Sequence, residues 1–505
     1  MRSFFTESRL SRSFLWLILA VPLLLAATGE RVVAVAPWIA PVLLLRFARQ
    51  QPAGRGYALV AAATTGALAI TWADMVPFDG TAYYAFVVVQ GLLLALPYLA
   101  DRLFAARLPG LAASLVFPVA AVTVEYAASF GPFGTWGSVA YTQESLALLQ
   151  LTSVTGIWGI TFLINWTASV GNAVWEGGLT EPSVRWTAGL WGGLLATVLL
   201  LGGARLALTS PDQTVPVATV MGRHDTNSFW DLRREAESRE AKSREAVRDS
   251  ARAVQRDYLR RARQAAEAGV RLVTWAETAV PVPREDTTAF LDRARTLAAS
   301  HEVYLAMAIN EFPRAEADTK LQNKVVWIGP GGKRRAEGLK THLVPGEPGQ
   351  AGTGSLPTVS TSAGTWSSAI CFDLDFPSLI RQAGRGGMDL FVAPSNDWWA
   401  IADRHAHMAR VRAIENGTAL LRPASNGHTL AAGPLGRTRA RVNHFTTDDH
   451  VQMAHLPAEG TPTVYPVLGD VFAWGCGLGL LFLIGGAHVR PRASDWAEAA
   501  RAEAA

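Results

Sequence analysis

Residues 271–283 read RLVTWAETAVPVP. A short apolar run rich in β-branched and aromatic residues reads as a buried strand. It ends on the carboxylate of Glu277, and Pro281 and Pro283 then stop it. Working outward, the same texture recurs at regular intervals. VPVATV (Val215–Val220) precedes it. VYLAMAI (Val303–Ile309), KVVWIGP (Lys324–Pro330), WSSAICF (Trp366–Phe372), DLFVAPS (Asp389–Ser395) and TALLRPAS (Thr418–Ser425) follow. Helical stretches separate several of these strands, which predicts an α/β layer structure with helices covering the sheets. In such folds chemistry collects where strands end in loops. GPGGK (Gly329–Lys333) reads as a hairpin turn, not as a phosphate-binding loop.

The rest of the chain has a different texture. Over 505 residues the hydrophobic fraction is 50%, the charged fraction 17% and the mean hydropathy +0.17. The apolar excess is concentrated before residue ~210 and near 468–488, in stretches close to the roughly 20 residues a helix needs to cross a bilayer. Candidate spans are about 13–29, 32–46, 56–74, 82–100, 109–129, 146–172, 187–208 and 468–488. A cleaved leader is a poor reading of the first, because further spans follow at once. Arg2, Arg9 and Arg12, then Arg46, Arg49 and Arg55, then Arg102 and Arg107, then Arg185, and finally Arg490 and Arg492 fall on one side of this series. The loops around 75–81 and 130–145 have no Lys or Arg. The positive-inside rule then puts both termini in the cytoplasm and residues ~210–466 outside. The expected organisation is a transmembrane domain over 1–210, a water-exposed domain over 211–466, a final span over 467–489 and a cytoplasmic tail over 490–505. Tyr83, Tyr84 and Trp136 suit interfacial anchors. Glu125, inside an apolar span, is a functional candidate or a helix–helix hydrogen-bond partner.

The net charge of +4 does not point to nucleic acid, because many of the arginines flank spans. The run REAESREAKSREAVRD (Arg234–Asp249) alternates sign at helical spacing and reads as a solvated helix face. Two cysteines, Cys371 and Cys476, offer no disulfide framework. No metal site or other cofactor is expected. His405 and His407 sit two apart, with no acidic or cysteine cluster at usable spacing.

Three strand-terminal or loop groups together make a coherent catalytic set. Cys371 ends WSSAIC, Glu277 ends RLVTWAE, and Lys340 lies in GLKTHLVPGEP with Glu347 close behind. A free thiol titrates near 8.5, so a nucleophilic cysteine needs a base or a cation beside it. Glu277 can take the thiol proton and return it to the leaving group. Lys340, with a backbone N–H after Cys371, can hold the oxyanion of a tetrahedral intermediate. Glu347 can orient Lys340 or assist proton transfer. The product of such a half-reaction is a thioester, and no cofactor is required.

WAETAVP around Glu277, KTHLVPGE around Lys340, IC at Cys371, SNDWW (Ser395–Trp399) and HMARVRAIENGTALLRPASNG (His407–Gly427) occur in this order. The order resembles the nitrilase, or carbon–nitrogen hydrolase, superfamily. FGTWGSVAYTQ (Phe133–Gln143) and TGIWGITFLINW (Thr155–Trp166) extend the resemblance to its membrane branch, the apolipoprotein N-acyltransferases. The resemblance implies an α-β-β-α sandwich catalytic domain on the extracytoplasmic side of a bacterial inner membrane. It implies acyl transfer from a phospholipid donor through a Cys371 thioester to a diacylated lipoprotein acceptor, by a monomer. Trp230, in NSFWD, stands where a tryptophan that shapes the site is expected. Trp398 and Trp399 line the acyl path or pack as aromatic core.

Departures from the family pattern are local. Phe372 and Asp373 follow the nucleophile where the family has Tyr–Glu, VPGEP is one residue tighter before Glu347, and MGRHD (Met221–Asp225) replaces Gln–Gly–Asn. CFDLDFP is closer to soluble amidases. A membrane-tethered amidase in which water resolves the thioester is therefore the alternative reading, and an inactive scaffold is a third.

Overall fold

The computed structural model of the chain describes residues 2–209, 213–221, 241–313, 320–447 and 450–489. Trp230, Arg490 and Arg492 lie outside the described residues. Two units form, one from Met1–Arg205 with Leu468–Ala505 and the other from Leu206–Val467.

The first unit is helical. Among the described residues, Gly80–Arg107, Gly110–Ala128, Pro182–Leu208 and Val471–Val489 are long and apolar enough to cross a membrane. The predicted span at 146–172 is not one rod. It breaks into Leu146–Thr155 and Trp158–Gly177, which meet at 116°, with Gly156 at φ +64° in the break. Counting that bent pair as one span brings the total to five, against the eight expected. The stretch expected at 32–46 forms Ala36–Arg49, only 14 residues. At 1.5 Å per residue this covers about 21 Å, short of a core about 30 Å thick. Tyr84 is exposed as an anchor should be, but Tyr83 and Trp136 are buried. Tyr83 donates its hydroxyl to the carbonyls of Leu68 and Ala69, and so packs between helices. Glu125 accepts hydrogen bonds from Ser138 Oγ at 2.5 Å and Thr161 Oγ1 at 2.9 Å. Its carboxylate ties helix Gly110–Ala128 to the 130–145 loop and to helix Trp158–Gly177.

The second unit has two principal sheets. One runs in the order β15-β1-β2-β4-β5-β6, built from Val451–Pro457, Thr214–Val220, Leu272–Trp275, Tyr304–Phe312, Gln322–Ile328 and Arg334–Leu339, with β3 (Val280–Pro283) paired to β4. The other runs β14-β13-β11-β9-β8-β7, from Thr438–Asn443, His428–Ala432, Ala419–Arg422, Leu390–Val392, Gly364–Ser368 and Thr358–Thr361. A two-stranded ribbon joins β10 (Ser395–Asn396) to β12 (Ala424–Ser425). Trp327 and Trp366 pack between the sheets, their rings 6.4 Å apart, and Trp327 Nε1 donates to Ser368 Oγ at 3.0 Å.

Each outer face is closed by helices. Tyr258 and Ala262 of Ala241–Glu267, with Phe290 and Ala294 of Thr287–Ser300, cover the first sheet. Leu379 and Ile380 of Pro377–Arg385, with Ala409 and Ala413 of Ala402–Asn416, cover the second. The result is the α-β-β-α sandwich. Residues 234–240 of the charge-rich run lie outside the described residues; further along helix Ala241–Glu267, Asp257 pairs with Arg261 at 2.7 Å one turn on.

Strand direction decides where chemistry can occur. β1, β2 and β4 run parallel, as do β8, β9 and β11. The residues just past β2, β8, β9 and β11 therefore emerge at carboxyl ends of parallel strands. β5 and β6 are antiparallel to their neighbours, so the start of β5 and the end of β6 return to that same end of the first sheet. Glu277, Cys371, Asp397, Asn323 and Lys340 all occupy such positions.

Candidate active site

Cys371 sits at φ +49°, in the left-handed region that a side chain with a Cβ normally avoids. The turn is held open by Cys371 N–H donating to the Pro394 carbonyl at 2.8 Å. Glu277 is followed by Thr278 at φ +55°, a second strained turn at a strand end. Such conformations cost about 1–3 kcal/mol each and persist only where surrounding bonds impose them.

The carboxylate, the ammonium and the thiol are all buried. Glu277 Oε1 accepts from Lys340 Nζ at 2.8 Å and from Asn323 Nδ2 at 2.7 Å, while Oε2 accepts from the Asn396 N–H at 3.0 Å. Lys340 Nζ also donates to Glu347 Oε2 at 2.7 Å, which the Val344 N–H orients at 2.9 Å. Burial works against the charge on Lys340, but Glu277, Cys371 and Glu347 overrule it and hold the ammonium well above an ordinary lysine. Burial, then the Glu277 charge, pushes the Cys371 thiol up to about 11, against the pull of His405 and Lys340. The resting nucleophile is thus a thiol that has to lose its proton on demand.

Asp373 has a clear structural task. Its carboxylate accepts the backbone N–H groups of His342 at 2.7 Å, Thr341 at 3.1 Å and Ile370 at 3.1 Å. It therefore clamps the lysine loop to the nucleophile turn. Phe372 packs edge-on to Phe376 at 5.3 Å, and Phe376 stacks on His342 at 3.6 Å. Trp398 is half-buried, whereas Trp399 is 53% exposed and meets the Phe445 ring edge-on at 5.0 Å. That exposure removes Trp399 from the aromatic core.

Several residues at this site escaped the sequence. Asn323 bridges Glu277 and Glu347, with its second bond at 3.3 Å. Asn396 gives its N–H to Glu277 and its side chain to Thr278 Oγ1 at 2.9 Å. On the other side of the sulfur, Cys371 Sγ, an imidazole nitrogen of His405 and a carboxylate oxygen of Asp397 lie within 4.8 Å of one another. His405 Nδ1 is 2.7 Å from Asp397 and Nε2 is 3.3 Å from Asp375. Arg422 donates to both oxygens of Asp397, at 2.9 and 2.7 Å. Spacing around His405 and His407 could not reveal this convergence, because Cys371, Asp397 and Arg422 arrive from three different strand ends. A weaker signal existed: His405 shares the buried face of its helix with Met408, Ala409 and Arg412, an ionisable group on an inward stripe.

Comparison with known proteins follows this division of the chain. Residues 20–170 match the apolipoprotein N-acyltransferase N-terminal domain, and residues 236–463 match the carbon–nitrogen hydrolase domain. The chain is 28% identical over 399 residues to an apolipoprotein N-acyltransferase of Geobacter metallireducens, covering 73% of each protein. It is 22% identical over 374 residues to the corresponding protein of Rickettsia typhi, covering 66% of this chain and 68% of that one. Among solved structures, an amidase from Nesterenkonia sp. aligns with 50% of this chain and 94% of its own at 17% identity and a TM-score of 0.39.

Proposed function

The chain belongs to the apolipoprotein N-acyltransferase branch of the carbon–nitrogen hydrolases, and from that premise we propose that it moves a fatty acyl group from a phospholipid, as a thioester on Cys371, to the α-amino group of a diacylglyceryl-modified cysteine at a lipoprotein N terminus. It is an acyltransferase acting in lipoprotein N-acylation. One observation carries the finer reading: a buried thiol on a left-handed turn lies within electrostatic reach of a carboxylate–ammonium pair.

In the first half-reaction the Cys371 proton passes to Glu277 while Sγ bonds to the ester carbonyl carbon of the donor. Lys340 faces the oxyanion that develops. The carbon–oxygen ester bond breaks, and Glu277 returns the proton to the departing hydroxyl of the lysophospholipid. In the second half-reaction the acceptor amine attacks the thioester carbon and gives a proton to Glu277. The carbon–sulfur bond then breaks, and the proton returns to the sulfur. Glu347, Asn323 and Asn396 hold Glu277 and Lys340 in one arrangement through both steps.

Both substrates live in a bilayer, and the apolar helices of the first unit keep the enzyme there. We place the catalytic domain on the extracytoplasmic face of a bacterial inner membrane, because the arginine-rich loops gather on the other side of the spans. The test is mass spectrometry of the full chain in phospholipid. An acyl adduct on Cys371 that disappears on adding a diacylated peptide with a free amine is the expected result. An adduct lost equally fast to water alone points to the hydrolase alternative, and no lipid adduct at all discards the proposal.

A further inference from the structure

The carboxylate–ammonium pair leaves a charge problem at the sulfur. Lys340 Nζ is engaged by two carboxylates, Glu277 at 2.8 Å and Glu347 at 2.7 Å. That side of the thiol therefore carries more negative than positive charge, and a like charge nearby disfavours a thiolate. A cation reaching the sulfur from another direction relieves this. His405 supplies one, together with residues that the acyl-transfer steps above do not use.

His405 is buried, brings a ring nitrogen within 4.8 Å of Cys371 Sγ, and has a carboxylate near each ring nitrogen: Asp397 at 2.7 Å from Nδ1 and Asp375 at 3.3 Å from Nε2. Two carboxylates this close favour the charged form of the ring, although Arg422 Nη2 also lies 3.3 Å from Nδ1. Arg422, itself fully buried, takes both oxygens of Asp397. It draws off part of the Asp397 charge and leaves the imidazolium as the cation in contact with the sulfur. The charged and titratable groups that face His405 are thus Cys371 and Asp375 from the nucleophile turn, Asp397 from the loop after β10, and Arg422 from β11.

We propose that His405 is a further catalytic residue, an imidazolium that contacts Sγ and stabilises the thiolate both when Cys371 attacks and when the acceptor amine expels it from the thioester. Asp375, Asp397 and Arg422 are its positioning residues. His405 releases no proton in the cycle, since the proton route runs through Glu277. Its contribution is largest where sulfur is the leaving group, because a thiolate of lower pKa departs faster. Burial opposes the charge on His405, yet Asp397 and the hydrogen bonds to Asp375, Asp397 and Cys371 hold its pKa well above that of an ordinary histidine.

The role in thioester breakdown rests on the acyl-transfer reading, so the test is one that needs no lipid substrate. The full chain carrying Cys476→Ala, in lipid nanodiscs, is exposed to brief pulses of iodoacetamide from about pH 7 to about pH 11.5, and Cys371 alkylation is read by mass spectrometry. The parent curve should bend toward its plateau near pH 11; with His405→Gln added the midpoint is expected to rise by at least about one unit, so that the rate keeps climbing through pH 11.5 without a bend. A merely structural histidine lowers the plateau and leaves the midpoint in place, and an unmoved midpoint overturns the proposal whatever happens to acyl transfer. Should His405→Gln not unfold cooperatively, Asp397→Asn carries the same test. Removing a negative charge near the sulfur lowers the thiol midpoint directly, so a rise can come only through loss of the proton on His405. A fall or no change there overturns the idea. A chain that forms no lipid thioester but shows the rise in the His405 variant refutes the phospholipid donor and leaves this assignment standing.

Discussion

Glu277→Gln separates the two things Glu277 does to the nucleophile. The carboxylate is the proton acceptor, and it is also a negative charge that holds the thiol up near 11. Gln keeps an oxygen for Lys340 and Asn323 but places an amide N–H₂ against the Asn396 N–H, a local mismatch worth about 1–3 kcal/mol. Acyl transfer should fall by about 10²–10⁴, the usual contribution of general base catalysis. The thiol should move the other way. A like charge within about 4–6 Å raises a pKa by about 1–3 units, so losing it lowers the thiol by at least about one unit. Each unit raises the thiolate fraction about tenfold, while intrinsic nucleophilicity drops about threefold, for a net gain of about threefold per unit. Lys340, freed from one of its two carboxylates, pulls in the same direction. Cys371 in the Cys476→Ala background should therefore alkylate at least about threefold faster with iodoacetamide near pH 8, while acyl transfer is nearly lost. Slower or unchanged alkylation in a variant that still unfolds cooperatively would refute the reasoning, since Glu277 would then not face the sulfur as a charge.

Other outcomes follow from the same geometry. Lys340→Met leaves Glu277 and Glu347 buried without their shared cation, so it should abolish transfer and destabilise the catalytic domain by about 3–5 kcal/mol, read as an early unfolding transition. Asp373→Asn keeps one acceptor oxygen for the lysine loop but turns N–H₂ toward the Ile370 N–H; thermal unfolding should fall by a few degrees and thioester formation should slow, while an unchanged rate would mean the clamp is dispensable. Cys371→Ala should fold normally and form no acyl adduct, whereas Cys476→Ala, in helix Val471–Val489, should retain full transfer in the same mass-spectrometric assay.

What the sequence makes legible here depends on how far a pattern reaches along the chain. Strand endings are local, so Glu277 and Cys371 could be picked out from an apolar run meeting a reactive group, and the layered fold from the recurrence of such runs. The break at Gly156 is local too, but averaging hydropathy over a span-length window hides a single residue that turns the helix by 116°. The buried position of Trp136 was hidden because an aromatic near a span end looks the same whether it faces lipid or protein. Asn323, Asn396 and His405 required the fold itself. Each gains its meaning only when segments far apart in the chain meet, and no spacing along the chain encodes that meeting.

The residues after the nucleophile show how a departure from a family pattern can be read once the fold is known. From the sequence, Phe372–Asp373 in place of Tyr–Glu brought this segment closer to soluble amidases. In the structure Asp373 points inward, buried, onto three backbone N–H groups that belong to both the nucleophile turn and the lysine loop. A carboxylate used in that way sets the distance between Cys371 and Lys340, and a side chain one methylene longer would have to push the lysine loop away to make the same bonds. The short acid, the VPGEP loop one residue tighter before Glu347, and the Val344 N–H that orients that Glu347 are then parts of a single adjustment. All three act on the same segment, which runs from the end of β6 to Glu347 and closes the cage around Lys340. The Asp373 and VPGEP departures therefore bear on how the catalytic set is braced.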